Sequence, residues 1–411
     1  MVNDLSDVGA APWWKRLAYR LLNAVLLAWV GVSRRGGGGT GGDPGPILVV
    51  QLHKIGDFVM TTPLIRSLAR AFPDRSLVLA VSQGSFNLAE TCPYASAVIT
   101  VATQLGWRRT WANVRAVRRA SRQVAALQPS IAVDPRWSAD LVHEGLMVKW
   151  SGAPTRIGFA ERASSSRALQ SVGFDRLFTE THPGRPGLLE SRQMLLMLEL
   201  LGVKEAVQQT EVWLTAEDET VAAEALGSLG SGRGWIAFAP GAGEPFRCWP
   251  ADRFAGVAAA LVAEGWRVVV IGGPEDVIDG GVIAAGAGQA VNLVGQLTLR
   301  QTAAVLAQCR LLVANDSAPA HLATAVGVPT LELSTHPVGA PPEHDNAPER
   351  WAPLGTVLQP VAQPGCERGC GADSPHCIAT IESSTVLSAA RHLLSTDPNR
   401  LSSNDPASSP P

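Results

Sequence analysis

ILVVQLHKIGDFVMTTPLIRSLARAF, residues 47–72, opens on an unbroken apolar run, passes through Gly56-Asp57 and ends in a helix-period stretch. A strand with no polar alternation is buried on both faces, which is the signature of a parallel sheet covered by helices. Pro63 is preorganised for a first helical turn, so the helix is expected to begin at Thr61-Thr62-Pro63 and to run through Leu64–Phe72. Asp57 then stands at the tip of a strand and ahead of a helix N-terminus. That edge is where α/β proteins place the groups that handle a ligand.

The same unit recurs outward from this stretch. The runs 76–81, 97–101, 130–134 and 155–159 read as further strands, with helices between them at 113–127 and 141–150. After a helical connector at 191–202 the pattern restarts, with strands at 234–240, 266–273, 291–295, 310–316 and 329–334 and helices at 251–265 and 299–309. Alternating strands and helices imply parallel sheets with right-handed crossovers. A chain of 411 residues exceeds one ordinary core at about 150 residues per domain. The expected fold class is α/β, with two tandem Rossmann-like domains and an interdomain cleft. The expected boundaries are an N-terminal amphipathic helix and Gly-rich linker at 1–44, a first Rossmann-like domain at 45–215, a second at 216–395 and a polar tail, expected to be disordered, at 396–411.

Composition narrows the classes. Apolar residues at 46% against 17% charged exclude disorder as the main state, and a net charge of −2 argues against a chain that coats nucleic acid through its overall field. Six cysteines scattered over so long a chain suit a reducing compartment better than a disulfide framework. The leader WWKRLAYRLLNAVLLAWVGVSRR, residues 13–35, lacks a small-residue cleavage pattern, and its strictly apolar core at 24–32 is shorter than the roughly 20 residues that span hydrocarbon. Lys15, Arg16, Tyr19, Arg20 and Asn23 share one side and Trp13, Leu17, Leu21 and Ala24 the other, which favours a helix lying in a membrane surface. The bland alternative is a helix docked on its own domain.

Neither half carries G-x-G-x-x-G after its first strand or a G-x-x-x-x-G-K-[ST] loop, which weakens dinucleotide oxidoreductase and P-loop readings. The strand ends of the second half carry other groups. Pro240-Gly241-Ala242-Gly243 is followed by Arg247 and Trp249-Pro250, so Arg247 is expected just before a helix N-terminus, where phosphate is favoured. Glu275 lies at the end of the next strand, where a carboxylate can accept from ribose hydroxyls. Asp316 and Ser317 are expected to cap a helix whose first-turn N–H groups face a diphosphate, with His321 one turn on.

Together these segments resemble glycosyltransferase family 9, the ADP-heptose:lipopolysaccharide heptosyltransferases of GT-B architecture, over about residues 47–395. The resemblance rests on Ile55-Gly56-Asp57, Thr61-Thr62-Pro63, Pro240-Gly241 with Arg247 and Trp249-Pro250, and Asn315 through Thr330. It implies an inverting, metal-independent transfer of a heptose from ADP-heptose to a lipopolysaccharide core or related glycolipid. Asp57 is then the general base, and no cofactor is required beyond the donor nucleotide sugar. The donor-binding set it implies is Gly56, Gly241, Arg247, Glu275, Asp316, Ser317, Ala318 and His321. Three departures concern the donor: Arg247 stands where several members have Lys, Ala318 where Gly is usual, and Gln51 where Arg is frequent. Open alternatives are another nucleotide sugar, an autotransporter protein as acceptor, and a nucleotide-sugar binding module without catalysis.

Two further segments point to partners. Arg108, Arg115, Arg119 and Arg122 fall on one helical stripe, either a solvated face or a cationic surface for a phosphorylated glycolipid and the anionic leaflet around it. With the leader helix and the resemblance, the expected location is cytoplasmic, peripheral on the inner face of the inner membrane. Cys366, Cys370 and Cys377 cluster near His376, but their spacing is not a clean C-x-x-C pair. The expectation is no metal, with these three as the candidates should one bind.

Overall fold

The computed structural model describes residues 13–32, 45–104, 109–227, 232–288, 290–342, 344, 346–351 and 355–396. The Gly-rich linker, Arg108 and the tail from 397 onward lie outside them. The chain divides into two compact units, one ending at Thr210 and the other beginning at Glu211.

The first unit holds β1 (Ile47–Gln51), β2 (Leu77–Ser82), β3 (Ala95–Val101), β4 (Ile131–Val133), β5 (Thr155–Phe159) and β6 (Glu180–His182). They form one parallel sheet in the order β3-β2-β1-β4-β5-β6. Val49 sits opposite Leu79 on one side and Val133 on the other. β1 is wholly buried, as its uninterrupted apolar run requires. Leu48 and Val50 pack with Val114, Val117 and Val124 of the helix Thr110–Ala126 and with Leu146 and Met147 of the helix Glu144–Trp150. Each such side chain removed from water contributes about 1.5–3 kcal/mol before conformational entropy is set against it.

The second unit repeats the plan with β7 (Trp235–Ala239), β8 (Arg267–Val270), β9 (Ala290–Asn292), β10 (Cys309–Asn315), β11 (Thr330–Leu333) and β12 (Gly355–Leu358), in the order β12-β11-β10-β7-β8-β9. Phe254 stands edge-on to Trp249, with ring centroids 4.9 Å apart, and to Phe238 at 6.2 Å, joining the helix Ala251–Ala263 to the sheet. In each sheet the chain winds outward in both directions from its first strand, so the exits of β1 and β4, and of β7 and β10, lie at the switch point where open α/β sheets bind ligands.

Two local expectations fail. The first helix does not begin at Thr61: it runs Ile55–Ala71, with Gly56-Asp57 in its first turn and Pro63 in its interior. Asp57 accepts from the Lys54 N–H at 3.2 Å, a carboxylate closing the helix N-terminus from its third position. Pro63 takes an N–H away from the Val59 carbonyl, and the Thr62 hydroxyl donates to that oxygen instead, at 2.7 Å. Thr62 therefore restores a donor to the one carbonyl that the proline deprives. The Thr61 hydroxyl also donates to a carbonyl of its own helix, that of Asp57, at 2.8 Å.

The second correction concerns the leader helix Trp13–Val32. Asn23, assigned to the polar outer face, is buried and donates to the carbonyls of Gln170 (2.8 Å) and Val172 (3.2 Å), while Leu26 enters the core. The helix is docked on the first unit through this side. Trp13, Trp14, Leu17, Leu21 and Val25 remain exposed, so an apolar stripe faces outward. Among the described residues no helix is long and apolar enough to cross a membrane.

Candidate active site

At the exit of β1, Asp57 is buried, and its Oδ1 accepts from Arg136 Nη1 at 2.8 Å. Arg136 leaves β4 two residues after Asp134, whose Oδ1 accepts the Arg136 N–H at 3.0 Å. The fully buried Arg167 holds that exit in place by donating to the carbonyls of Arg136 and Phe159, each at 2.8 Å. Asp57 thus has one carboxylate oxygen on a guanidinium and the other on the Lys54 N–H, with lone pairs left on both. Gln51 donates to the Thr61 hydroxyl at 3.0 Å and ties the strand end to the helix, so a neutral amide fills the position where an arginine was the comparison. Gly56 lies buried in the same helical turn.

A second layer of titratable groups sits behind this turn. Glu144 accepts from the Leu52 N–H and lies 3.4 Å from His53 Nε2. Asp140 accepts the N–H groups of Glu144 (2.8 Å) and Gly145 (2.9 Å). Burial, reinforced by Asp134 and Asp140, pushes the Glu144 carboxyl well above the usual range. Burial together with Arg136 and other cations pushes His53 well below its own. Both shifts favour the neutral form of the group. Burial raises Asp134 to about 7, with Arg167 opposing.

In the second unit Arg247 Nη2 donates to the Asp316 backbone carbonyl at 2.6 Å and to its carboxylate. Asn315 binds the Trp249 N–H at 3.0 Å and donates to the Pro240 carbonyl, so the exits of β7 and β10 are pinned to each other. The helix after β10 is Ala318–Ala325 with Ser317 at its N-cap position, but the Ser317 hydroxyl donates back to the Asn315 carbonyl at 3.2 Å rather than capping. Pro319 has no N–H and the Ala320 N–H bonds the Ser317 carbonyl, so the donors aimed outward from this turn are those of Ser317 and Ala318. His321 is half-buried one turn on. Pro250 is the residue before the helix Ala251–Ala263 rather than its first member, a shift of one position.

Glu275 lies exposed in a short helical turn at Pro274–Asp276. The neighbouring Asp276 is the carboxylate turned inward: it accepts the Gly273 N–H at 2.9 Å, and a Cβ on Gly241 would strike it. A larger residue at 241 would therefore have to displace the Asp276 carboxylate. Glu332 on β11 is buried beside Asp316 and Arg247, and burial plus the Asp316 charge pushes it well above its usual range, a shift that favours its neutral form.

Sequence reasoning did not single out Arg136, Asp276 or Glu332. Arg136 had a signal, since it follows a strand adjacent to the switch point. Asp276 and Glu332 had none, because their orientation depends on a 3-10 turn and on a single register position. The stripe Arg115, Arg119 and Arg122 is exposed beside an exposed Trp111, on the face of its helix opposite Val114, Val117 and Val124. Cys366, Cys370 and Cys377 are free thiols gathered around His376.

The family model described as glycosyltransferase family 9 (heptosyltransferase) matches residues 138–355. The protein called lipopolysaccharide heptosyltransferase 3 of Escherichia coli is 28% identical over 307 residues, which is 72% of this chain and 86% of that protein. A solved family 9 glycosyltransferase from Veillonella parvula superposes with a TM-score of 0.67 at 22% identity, covering 86% of this chain and 97% of that one. ADP-heptose lps heptosyltransferase II of E. coli does so at 0.64 and 19% identity, covering 85% and 98%. Both solved structures share the fold of two parallel sheets, and with a family match over more than half its length this chain belongs to glycosyltransferase family 9, the heptosyltransferases.

Proposed function

We propose that the protein transfers a heptose, with inversion, from a nucleoside diphosphate heptose to a sugar hydroxyl of a lipopolysaccharide core or related glycolipid, with ADP-heptose as the donor. The observation that carries this reading is Asp57 at the exit of the switch-point strand, fixed by Arg136 with lone pairs still free. A carboxylate so held can take the proton of an acceptor hydroxyl while its oxygen attacks the anomeric carbon. The C1–oxygen bond to the diphosphate breaks as the new glycosidic bond forms, and the nucleoside diphosphate leaves with the bonding pair. One displacement inverts the centre.

Charge on the leaving diphosphate is met by Arg247 and the N–H groups of Ser317 and Ala318, so the mechanism assigns no role to a metal ion or cofactor. Arg247 is held by Asp316 until the phosphate takes its place, which spares a lone charge in a poorly hydrated site. The upward shift of Glu332 favours its neutral form, which would not oppose an anion here. Asp276, with Gly241 against it, is the better-placed carboxylate for ribose hydroxyls than exposed Glu275. His321 is assigned to the sugar and diphosphate. The exposed apolar stripe of the leader helix and the arginines of Thr110–Ala126 support attachment to the anionic cytoplasmic face of the inner membrane, where a glycolipid acceptor resides.

The test is thermal unfolding of the full chain with ADP, UDP, GDP and CMP. A ligand at 100 times its Kd adds about 2.7 kcal/mol to the state that binds it. A shift with ADP that Arg247→Ala removes is expected. A shift with UDP or GDP alone would replace the donor, and no shift with any nucleotide would overturn the enzymatic reading.

A further inference from the structure

Outside the residues assigned above, the second unit holds a cluster with a different chemistry. Cys366, Cys370, His376 and Cys377 come from one loop, and their ligand atoms all lie within 4.8 Å of one another. The three sulfurs converge on a single ring nitrogen: His376 Nδ1 is 3.5 Å from Cys366 Sγ, 3.7 Å from Cys370 Sγ and 3.6 Å from Cys377 Sγ. None of the three thiols is in a disulfide.

Those distances fit a metal better than a hydrogen-bonded group. An imidazole nitrogen in the neutral ring carries one proton or one lone pair and cannot satisfy three sulfurs at once. A tetrahedral zinc ion with Zn–S of about 2.3 Å and Zn–N of about 2.0–2.1 Å sets S and N about 3.5–3.6 Å apart, which is the spacing found. Three sulfurs and one imidazole form a closed structural set with no position left for a substrate or water. Backbone N–H groups of Cys377 and Ala372 are aimed at the Cys370 sulfur, and that of Gln363 at Cys377, as thiolate ligands require.

We propose that Cys366, Cys370, His376 and Cys377 bind one zinc ion that staples the loop 366–377. The loop has little else to fix it, since it contains no helix or strand, yet its exit is used by the donor half-site. The Ile381 carbonyl directly after it accepts from Trp249 Nε1 and Arg253 Nη1, both at 3.0 Å, and the Ala379 carbonyl accepts from Arg253 at 2.6 Å. Trp249 is two residues from Arg247. The zinc therefore fixes the backbone on which that segment is built, and the inference stands whether or not the transfer reaction above is correct.

The experiment is elemental analysis of the full-length protein purified without chelator and without an affinity metal column, alongside Co2+ substitution. The expected result is about one zinc per chain and, with cobalt, a thiolate-to-metal charge-transfer band with tetrahedral d–d absorption. His376 is exposed, so His376→Ala should fold and lose at least about tenfold in zinc affinity. Less than a tenth of an equivalent of zinc, iron in its place, a mass two hydrogens lower from a disulfide, or zinc retained unchanged in His376→Ala would each overturn the proposal.

Discussion

Asp57 and Arg136 lie 79 positions apart in the chain and meet at the exits of two neighbouring strands, Nη1 2.8 Å from Oδ1, with both side chains largely removed from water. Arg136 is a positioning residue in this account: it orients the carboxylate and neutralises its charge without touching the reacting atoms. Removing one partner of a buried pair leaves an uncompensated charge and costs about 3–5 kcal/mol. Arg136→Met should therefore lower the melting temperature of the first unit, at roughly 2–4 °C per kcal/mol for a unit of this size. The double variant Arg136→Met with Asp57→Asn should melt above Arg136→Met alone. A double variant no more stable than the single one would show that the pair is not the source of the loss.

Asp134 supplies a pH signature. Its carboxyl is raised from 3.8 to about 7 by burial, so protonation favours the folded state. That contribution is complete below about pH 4, the unfolded value, and is lost as pH rises through 7. Asp134→Asn, which keeps an oxygen for the Arg136 N–H, should leave stability at pH 4 close to that of the parent and raise it at pH 8. Chemical denaturation at the two pH values measures the difference, and equal changes at both would refute the assignment.

The carboxylates at 275 and 276 separate by the same kind of comparison. A lost hydrogen bond to a charged group costs about 1.5–3 kcal/mol, or roughly ten- to a hundredfold. Asp276→Ala should raise the donor KM by that factor, whereas Glu275→Ala should stay within about twofold. The reverse ranking, read from initial rates, would return the ribose role to Glu275.

Membrane attachment is tested with vesicles. Leu17→Gln with Leu21→Gln alters only exposed side chains, so the fold should persist while sedimentation with phosphatidylglycerol vesicles falls. Replacing Arg115, Arg119 and Arg122 by Gln should remove about 1 kcal/mol, about fivefold, for each arginine that lies near the anionic surface, and should change nothing on neutral vesicles. Unchanged partitioning of both variants would leave the leader helix as a docked element only.

Much of the architecture was legible because parallel strands are apolar on both faces. β1, β2, β5, β7, β8, β10 and β11 all stand out as short runs between helical stretches. β6 and β12 did not: they are edge strands of three and four residues, Glu180–His182 and Gly355–Leu358, with no run long enough to register. Pro63 misled the helix start because hydroxyl donation to the Val59 carbonyl cannot be seen in a linear pattern. Asn23 was placed outward by helical periodicity, which ranks polarity and does not know that two carbonyls wait on the inner side. In the candidate site, the residues named from the sequence are those carried by a recognisable local motif. Arg136 and Glu332 were not named, because each meets its partners across a large sequence separation, and Asp276 was not, because its orientation depends on a 3-10 turn.

The central claim is that Asp57 takes the proton from the acceptor hydroxyl. Asp57→Asn is nearly isosteric and keeps an oxygen for Arg136, so the measurement is turnover with saturating ADP-heptose and a lipopolysaccharide-core acceptor, together with donor affinity by calorimetry. Turnover lower by about a hundred- to ten-thousandfold, with donor affinity within a few-fold of the parent, is the predicted result. Turnover near that of the parent would contradict the claim.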